Sequence, residues 1–289
     1  MAPTIAAYYQ LTKPGIIRGN AVHVVAGGLF ASTMGIDWSA LAGVLFGTSL
    51  VIASACVANN YMDRGIDAKM KRTSKRPSVT GVVPFKSAMV FSAVLLILGI
   101  ATLSVLTNLT VIAIGLIAYV LYVFAYGWAK RHTIHSTLVG AIPGALPAMA
   151  GYVAVDGVLS WAAVLIFLVV FAWQMPHFYA ISLFRKKEYQ AAKIPVLGAV
   201  RPFAQVRRVM LTYMMAYLAT IIALISLDVV GPPAGLLLLS GAAYWLIIFM
   251  RTSTRDEAKW ARSIFGSSLI LTLVLLVASI LNVFIPPFS

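Results

Sequence analysis

Uncharged apolar runs of about 20 residues recur along the chain, separated by short polar stretches. A run of that length spans the hydrocarbon core of a bilayer as a helix. Helices satisfy their own backbone groups, which lipid cannot do. The pattern predicts helices over residues 17–36, 39–62, 87–106, 109–129, 136–155, 160–183, 208–227, 232–250 and 264–284. The run between Lys86 and Lys130 is long enough for two crossings, with Thr107-Asn108 as the turn. The expected fold is all-α: a polytopic membrane protein, a nine-transmembrane-helix bundle in one domain over residues 1–289. The second and sixth spans run into long basic loops that end in Pro77 and Pro195. This echo reads as the shared grammar of such loops rather than as a duplication.

Composition agrees. Of the 289 residues, 61% are hydrophobic and 10% charged, where a soluble domain carries about a quarter charged residues. The net charge of +14 in a soluble protein would point to nucleic acid. Here every basic residue falls at a connection of one parity. Lys13 and Arg18 lie at the start, and Arg64 to Lys86 follow the second span. Lys130 and Arg131 follow the fourth, Arg185 to Arg208 the sixth, and Arg251 to Arg262 the eighth. These hold all 22 Lys and Arg, while the other parity holds only Asp37, Asp156 and Asp228. The positive-inside rule then predicts a cytoplasmic N-terminus and an outside C-terminus, in a bacterial cytoplasmic (inner) membrane. Nucleic acid is not an expected partner. Met1 to Tyr9 has neither the basic start nor the cleavage pattern of a signal peptide. The single cysteine, Cys56, cannot pair internally.

Three acids lie at helix ends on the basic side: Asp63, Asp67 and Glu188. Asn59, Asp63 and Asp67 are four residues apart and share one helix face. Such a row of hard oxygens suits Mg²⁺, which keeps substrate phosphates in its shell. The basic run Lys69 to Arg76 follows at once. Metal plus guanidinium forks is what a diphosphate needs. A lone aspartate there would be read as a headgroup contact; the spaced row beside a basic cluster is not.

The sixth span carries Trp173 and His177, then Arg185 and Tyr189, at steps of four or eight along one face. An intramembrane ionisable group is a functional candidate, and Pro176 is expected to kink the helix. The plainer reading makes Trp173 and Tyr189 interfacial aromatics and His177 a packing residue. His23, His132 and His135 have no zinc-ligand spacing with soft ligands. No phosphate-binding Gly-x-x-x-x-Gly-Lys loop and no nucleophile elbow are present.

The row Asn59, Asp63, Asp67 with Arg72-Thr73 and Arg76-Pro77 resembles the first signature of the intramembrane aromatic prenyltransferase superfamily. Leu11-Thr12-Lys13-Pro14-Gly15, Lys130-Arg131-His132, Pro143-Gly144-Ala145 and the block Trp173 to Leu197 resemble its haem-modifying branch. Two features depart from the wider superfamily. Asn60 stands where many members have an aspartate, and the second aspartate-rich row is reduced to Glu188, so the number of Mg²⁺ ions stays open. The resemblance implies transfer of a farnesyl group from farnesyl diphosphate to a vinyl group of haem B, with addition of water, giving haem O. It implies Mg²⁺ on Asn59, Asp63 and Asp67 with Glu188 as helper, and diphosphate contacts from Arg72, Lys75, Arg76 and Arg185. Tyr61, Tyr126, Trp173 and Phe178 are expected to line the substrate chamber. His177 would meet the haem as an iron ligand or a propionate contact, and Arg131 and His132 would meet its propionates. The expected partners are haem B, farnesyl diphosphate, the bilayer, and a haem A synthase or terminal oxidase that takes the product. The competing expectations are a superfamily enzyme with a quinone-precursor or lipid acceptor, and a transporter using the aspartates as ion sites.

Overall fold

A computed structural model describes residues 4–287. Met1 to Pro3, the start of the segment Met1 to Tyr9 read above against the signal-peptide pattern, lie outside the described residues, as do the last two. Among the described residues there are nine helices of 18 residues or more and no strand. They are α1 (Pro14–Ala31), α2 (Trp38–Met62), α3 (Phe85–Leu106), α4 (Leu109–His132), α5 (Ser136–Asp156), α6 (Trp161–Phe184), α7 (Phe203–Ser226), α8 (Pro232–Arg251) and α9 (Glu257–Phe284). Eight, α2 to α9, are long and apolar enough to cross a membrane. α1 is not among them; it carries Arg18, Asn20 and His23 within its 18 residues.

Local chemistry sets the ends. Asp37, Asn108, Ser160 and Asp256 cap α2, α4, α6 and α9, their side chains accepting hydrogen bonds from the N–H groups of Ala40, Val111, Ala163 and Lys259. Pro14 and Pro232 open α1 and α8, where the missing N–H costs no bond. Gly157, at φ 84°, closes α5. Three expected boundaries move. α1 spans Pro14–Ala31 rather than 17–36, because the chain turns at Ser32 to Gly35 before the Asp37 cap. α7 begins at Phe203 and α9 at Glu257, so both extend further into the basic connections than hydropathy indicated. Hydropathy marks where lipid begins, not where hydrogen bonding does. A short N-terminal helix, Ile5–Leu11, was not expected.

Burial separates a central set from a peripheral one. The apolar window of α2 is 67% buried and those of α5 and α6 are 61%, against 17% for α3 and 22% for α4. α3 and α4 therefore present their apolar surface to lipid. α1 lies tightly on α5. A Cβ on Gly27 would sit 2.1 Å from the Ala148 carbonyl oxygen, and one on Gly151 would sit 2.1 Å from that of Val24. Backbones this close are what small residues permit between membrane helices.

α4 holds a feature absent from the sequence reading: Leu121–Tyr126 is a π-helical turn. Such turns insert an extra residue and are frequent at functional sites. Past it, the helix continues to Lys130, Arg131 and His132.

Candidate functional site

α2 ends at Met62, and Asp63 starts a four-residue helix, Arg64–Asp67. The spacing survives the break, because the Asp63 N–H still donates to the Asn59 carbonyl (2.9 Å) and the Asp67 N–H to that of Asp63 (2.8 Å). Asn59, Asp63 and Asp67 are each 1% exposed. Burying a carboxylate is costly unless it is paired, and both are. Lys130 Nζ donates to Asp63 Oδ2 at 2.8 Å and Arg131 Nη2 to Asp63 Oδ1 at 3.1 Å. Arg76 Nη1 donates to Asp67 Oδ2 at 2.6 Å. Thr73 Oγ1 donates to the Asp67 carbonyl at 2.9 Å and folds the loop back so that Arg76 can reach.

Lys13 Nζ donates to Asn59 Oδ1 at 2.7 Å. Asn60 Nδ2 donates to the Leu11 carbonyl at 2.7 Å, holding the same segment. Lys13 adopts φ 52°, a left-handed conformation that a side chain with a Cβ rarely takes. Burial draws its amine down to about 8; Arg76 and Lys130 push the same way, while Cys56 and Asp63 oppose them. Lys13, Arg76, Lys130 and Asp63 therefore feel one another across a single site.

The basic connection after α6 closes over it. Met70 packs with Ala192, Ile194, Val196 and Ala199, flanked by Ile66 and Tyr189. Arg185 pairs with Glu188 at 3.2 Å and lies over the Phe184 ring. Glu188 Oε2 is buried and unpartnered. Arg72 lies near Arg76, Tyr189, Arg185 and Glu188; partial burial lowers its guanidinium first, then Arg76 does. Lys75 is exposed.

Among the described residues, no three His, Cys, Asp or Glu side chains gather closely enough to hold a metal. The donor chemistry still fits a hard divalent cation: two buried carboxylates one step apart, an amide oxygen beside them, and Asp67 Oδ1 with no hydrogen bond among the described residues. Asp63 and Asp67 face Lys13, Arg76, Lys130 and Arg131, with Arg72 at the rim. That excess of positive charge fits a polyanion arriving with the metal better than a metal alone.

The remaining expected residues divide. Tyr126 stacks on Tyr122 at 5.6 Å, packs over Gly140, and lies within electrostatic range of Asp63 and Asp67. Trp173 and His177 are buried and stacked at 4.9 Å. Trp173 Nε1 donates to the Ser268 carbonyl at 2.8 Å, and His177 Nδ1 bonds Ser268 Oγ at 2.7 Å. α6 stops at Phe184 and Tyr189 belongs to a separate short helix, Lys186–Ala191, but the four-residue step carries across the break, since the Arg185 N–H donates to the Ile181 carbonyl (3.0 Å) and the Tyr189 N–H to that of Arg185 (3.2 Å). Pro176 lies inside the unbroken α6. Phe178 is 41% exposed. Tyr61 turns away from the acids: its hydroxyl donates to the Val83 carbonyl and its ring meets Phe85. Arg131 is bound to Asp63 and to the carbonyls of Met62 and Gly127 rather than free at a rim. His132 is exposed and stacked on Trp128. Sequence reasoning missed Lys13 and Lys130 as site residues. Each comes from a point 46 or 67 residues away from its partner; the signal that could have found them was their place in the stretches Leu11 to Gly15 and Lys130 to His132, already quoted for the resemblance.

A model of the UbiA prenyltransferase family matches residues 21–281. The chain is 39% identical over 281 residues to protoheme IX farnesyltransferase 2 of Shewanella loihica, covering 96% of this chain and 90% of the relative. It is 38% identical over 285 residues to protoheme IX farnesyltransferase of Aliivibrio salmonicida, covering 98% of each. Its fold resembles a chain solved in a study of digeranylgeranylglyceryl phosphate synthase, with TM-score 0.79, 18% identity, and 96% and 98% of the two chains covered. It also resembles a UbiA homolog from Archaeoglobus fulgidus bound to DMAPP and Mg²⁺, with TM-score 0.76, 15% identity, and 96% and 99% covered.

Proposed function

Because the chain belongs to the UbiA prenyltransferase family, we propose that it transfers a farnesyl group from farnesyl diphosphate to a vinyl group of haem B. Water is added, diphosphate is released, and haem O results. The relatives named above support this reaction and acceptor. One observation carries the assignment of the site: two buried carboxylates one turn apart are outnumbered by the cations gathered on them.

Asn59, Asp63 and Asp67 hold Mg²⁺, with Glu188 as helper from the facing connection. A divalent ion there adds positive charge to the leaving diphosphate. The chain's own part is to bind and orient that group. Arg72, Arg76 and Arg185 contact its oxygens with Lys75 at the rim, and Lys13 and Lys130 join them by leaving Asn59 and Asp63. Charge that builds on the leaving oxygen is met by donors already in place. Tyr126, Trp173, His177 and Phe178 line the apolar side and keep stray water from the allylic carbon.

We also propose nine crossings in one catalytic domain of a bacterial cytoplasmic membrane, with the N-terminus and the site on the cytoplasmic side. Lys13 at the level of Asn59 supports α1 as a crossing, since α1 must then return across the bundle to reach Trp38. Haem O is apolar enough to stay in the bilayer, so a membrane haem A synthase or terminal oxidase receives it.

The test is incubation of the membrane-embedded chain with haem B, farnesyl diphosphate and Mg²⁺, followed by mass analysis of the extracted haem. Asp63→Asn and Asp67→Asn are each expected to lower turnover about 100-fold or more, the scale of losing a main electrostatic group, while both proteins remain membrane-inserted. Near-normal haem O from either variant would refute the metal assignment.

A further inference from the structure

His177 lies in α6, deep to the acids and apart from the diphosphate contacts. Its ring stacks on Trp173 and meets Phe265 at 4.8 Å and the edge of Phe178 at 5.1 Å. Among the described residues one ring nitrogen has a protein partner, Nδ1, at 2.7 Å from Ser268 Oγ. Ser268 has one hydroxyl hydrogen, and Oγ donates it to the Phe265 carbonyl at 2.6 Å. Oγ therefore accepts from His177, and Nδ1 carries the ring proton. Nε2 is left with a lone pair. It has no hydrogen bond among the described residues, and it is not one of the sealed, unpartnered polar atoms, so it opens onto accessible space.

This is how a metal-binding imidazole is prepared: one nitrogen held by a hydrogen bond to protein, the other free with its lone pair outward. Iron in haem takes such a ligand. A nitrogen with only a lone pair cannot donate to a carboxylate, so this tautomer disfavours a propionate contact. Ser268 fixes the arrangement twice, because its carbonyl also accepts from Trp173 Nε1 at 2.8 Å and locks the ring stacked on His177.

We propose that His177 Nε2 is an axial ligand to the iron of the haem substrate, and that Ser268 is the positioning residue that sets its tautomer. The proposal rests on haem being the acceptor. It explains how a reaction at the porphyrin edge is aimed: iron held at one point leaves the ring only rotation about that axis to bring a vinyl group to the allylic carbon.

The full chain in lipid nanodiscs is titrated with ferric haem B and, separately, with iron-free protoporphyrin IX. Wild type should show the absorption and spin-resonance signature of an imidazole-ligated haem. His177→Ala should lose that signature and bind haem about tenfold or more weaker, with protoporphyrin binding unchanged. His177→Gly should regain the signature when imidazole is added, which a merely structural role would not produce. Ser268→Ala should keep ligation with weakened affinity and a shifted spectrum. An unaltered haem spectrum in His177→Ala overturns the proposal. So does equal weakening for both porphyrins, which would make His177 a contact at the porphyrin periphery. If wild type forms haem O while the spectrum ignores His177, the transferase reading stands and this one falls.

Discussion

At the scale of the residue, the site is an ion-pair network held ready for an anion. Lys130 and Arg131 occupy both oxygens of Asp63, and Arg76 occupies one of Asp67. A bare cation must displace these partners, whereas a diphosphate offers them somewhere else to go. Mg²⁺ alone is therefore expected to bind weakly, and Mg²⁺ with inorganic diphosphate at least about tenfold more tightly, the result of about 1.4 kcal/mol of coupling. Calorimetric titration of each, singly and together, checks this. Lys130→Met should raise KM for farnesyl diphosphate about tenfold, the scale of one charge-assisted hydrogen bond, with a smaller change in Lys130→Arg. Steady-state kinetics would show the split. Asp63 and Asp67 were legible from spacing alone, since helical periodicity relates neighbours four residues apart, and Arg76 from the basic run that follows them. Lys13 and Lys130 were not, because their partners are fixed by how α1 and α4 pack against α2, and no local pattern encodes that.

Elements show what aims those residues. α4 is the outermost of the helices that supply the site, and its π turn at Leu121–Tyr126 sets the rotation of everything beyond it. Inserting one residue past the turn, for example an alanine after Gly127, would turn Lys130 and Arg131 by roughly 100° about the axis. The chain should still insert, yet lose most of its haem O formation. Equal activity in that insertion would mean that the orientation of these cations does not matter. α1 and α5 carry the second dependence. Gly27 and Gly151 leave no room for a Cβ beside facing carbonyls, and these are backbone atoms that cannot rotate away. Gly151→Ala should cost about 1–3 kcal/mol by overpacking, read as a lower unfolding midpoint in detergent. Helix existence was legible from apolar length. The π turn was not, because its residues, Leu121-Tyr122-Val123-Phe124-Ala125-Tyr126, are as apolar and aromatic as any other stretch of a span.

For the whole molecule, charge and contact agree on one end. Lys13 reaches Asn59, Lys130 reaches Asp63, and Arg72 lies by Glu188. Arg207 covers Phe249 at 5.3 Å and Arg262 approaches Phe184 at 5.9 Å. These contacts tie all five basic connections to a single end of the bundle, as the segregation of Lys and Arg along the sequence required. Hydropathy alone favours eight crossings, because Arg18, Asn20 and His23 make α1 too polar to qualify. Eight crossings with a non-spanning α1 would leave Lys13 and Trp38 on the same side, yet Lys13 bonds the far end of α2. Reporter fusions decide between them: nine crossings predict opposite sides for the two chain ends, with Ser74 and Lys187 on the side of the N-terminus. Finding both ends on one side would remove α1 as a span, and with it the reason Lys13 stands beside Asn59.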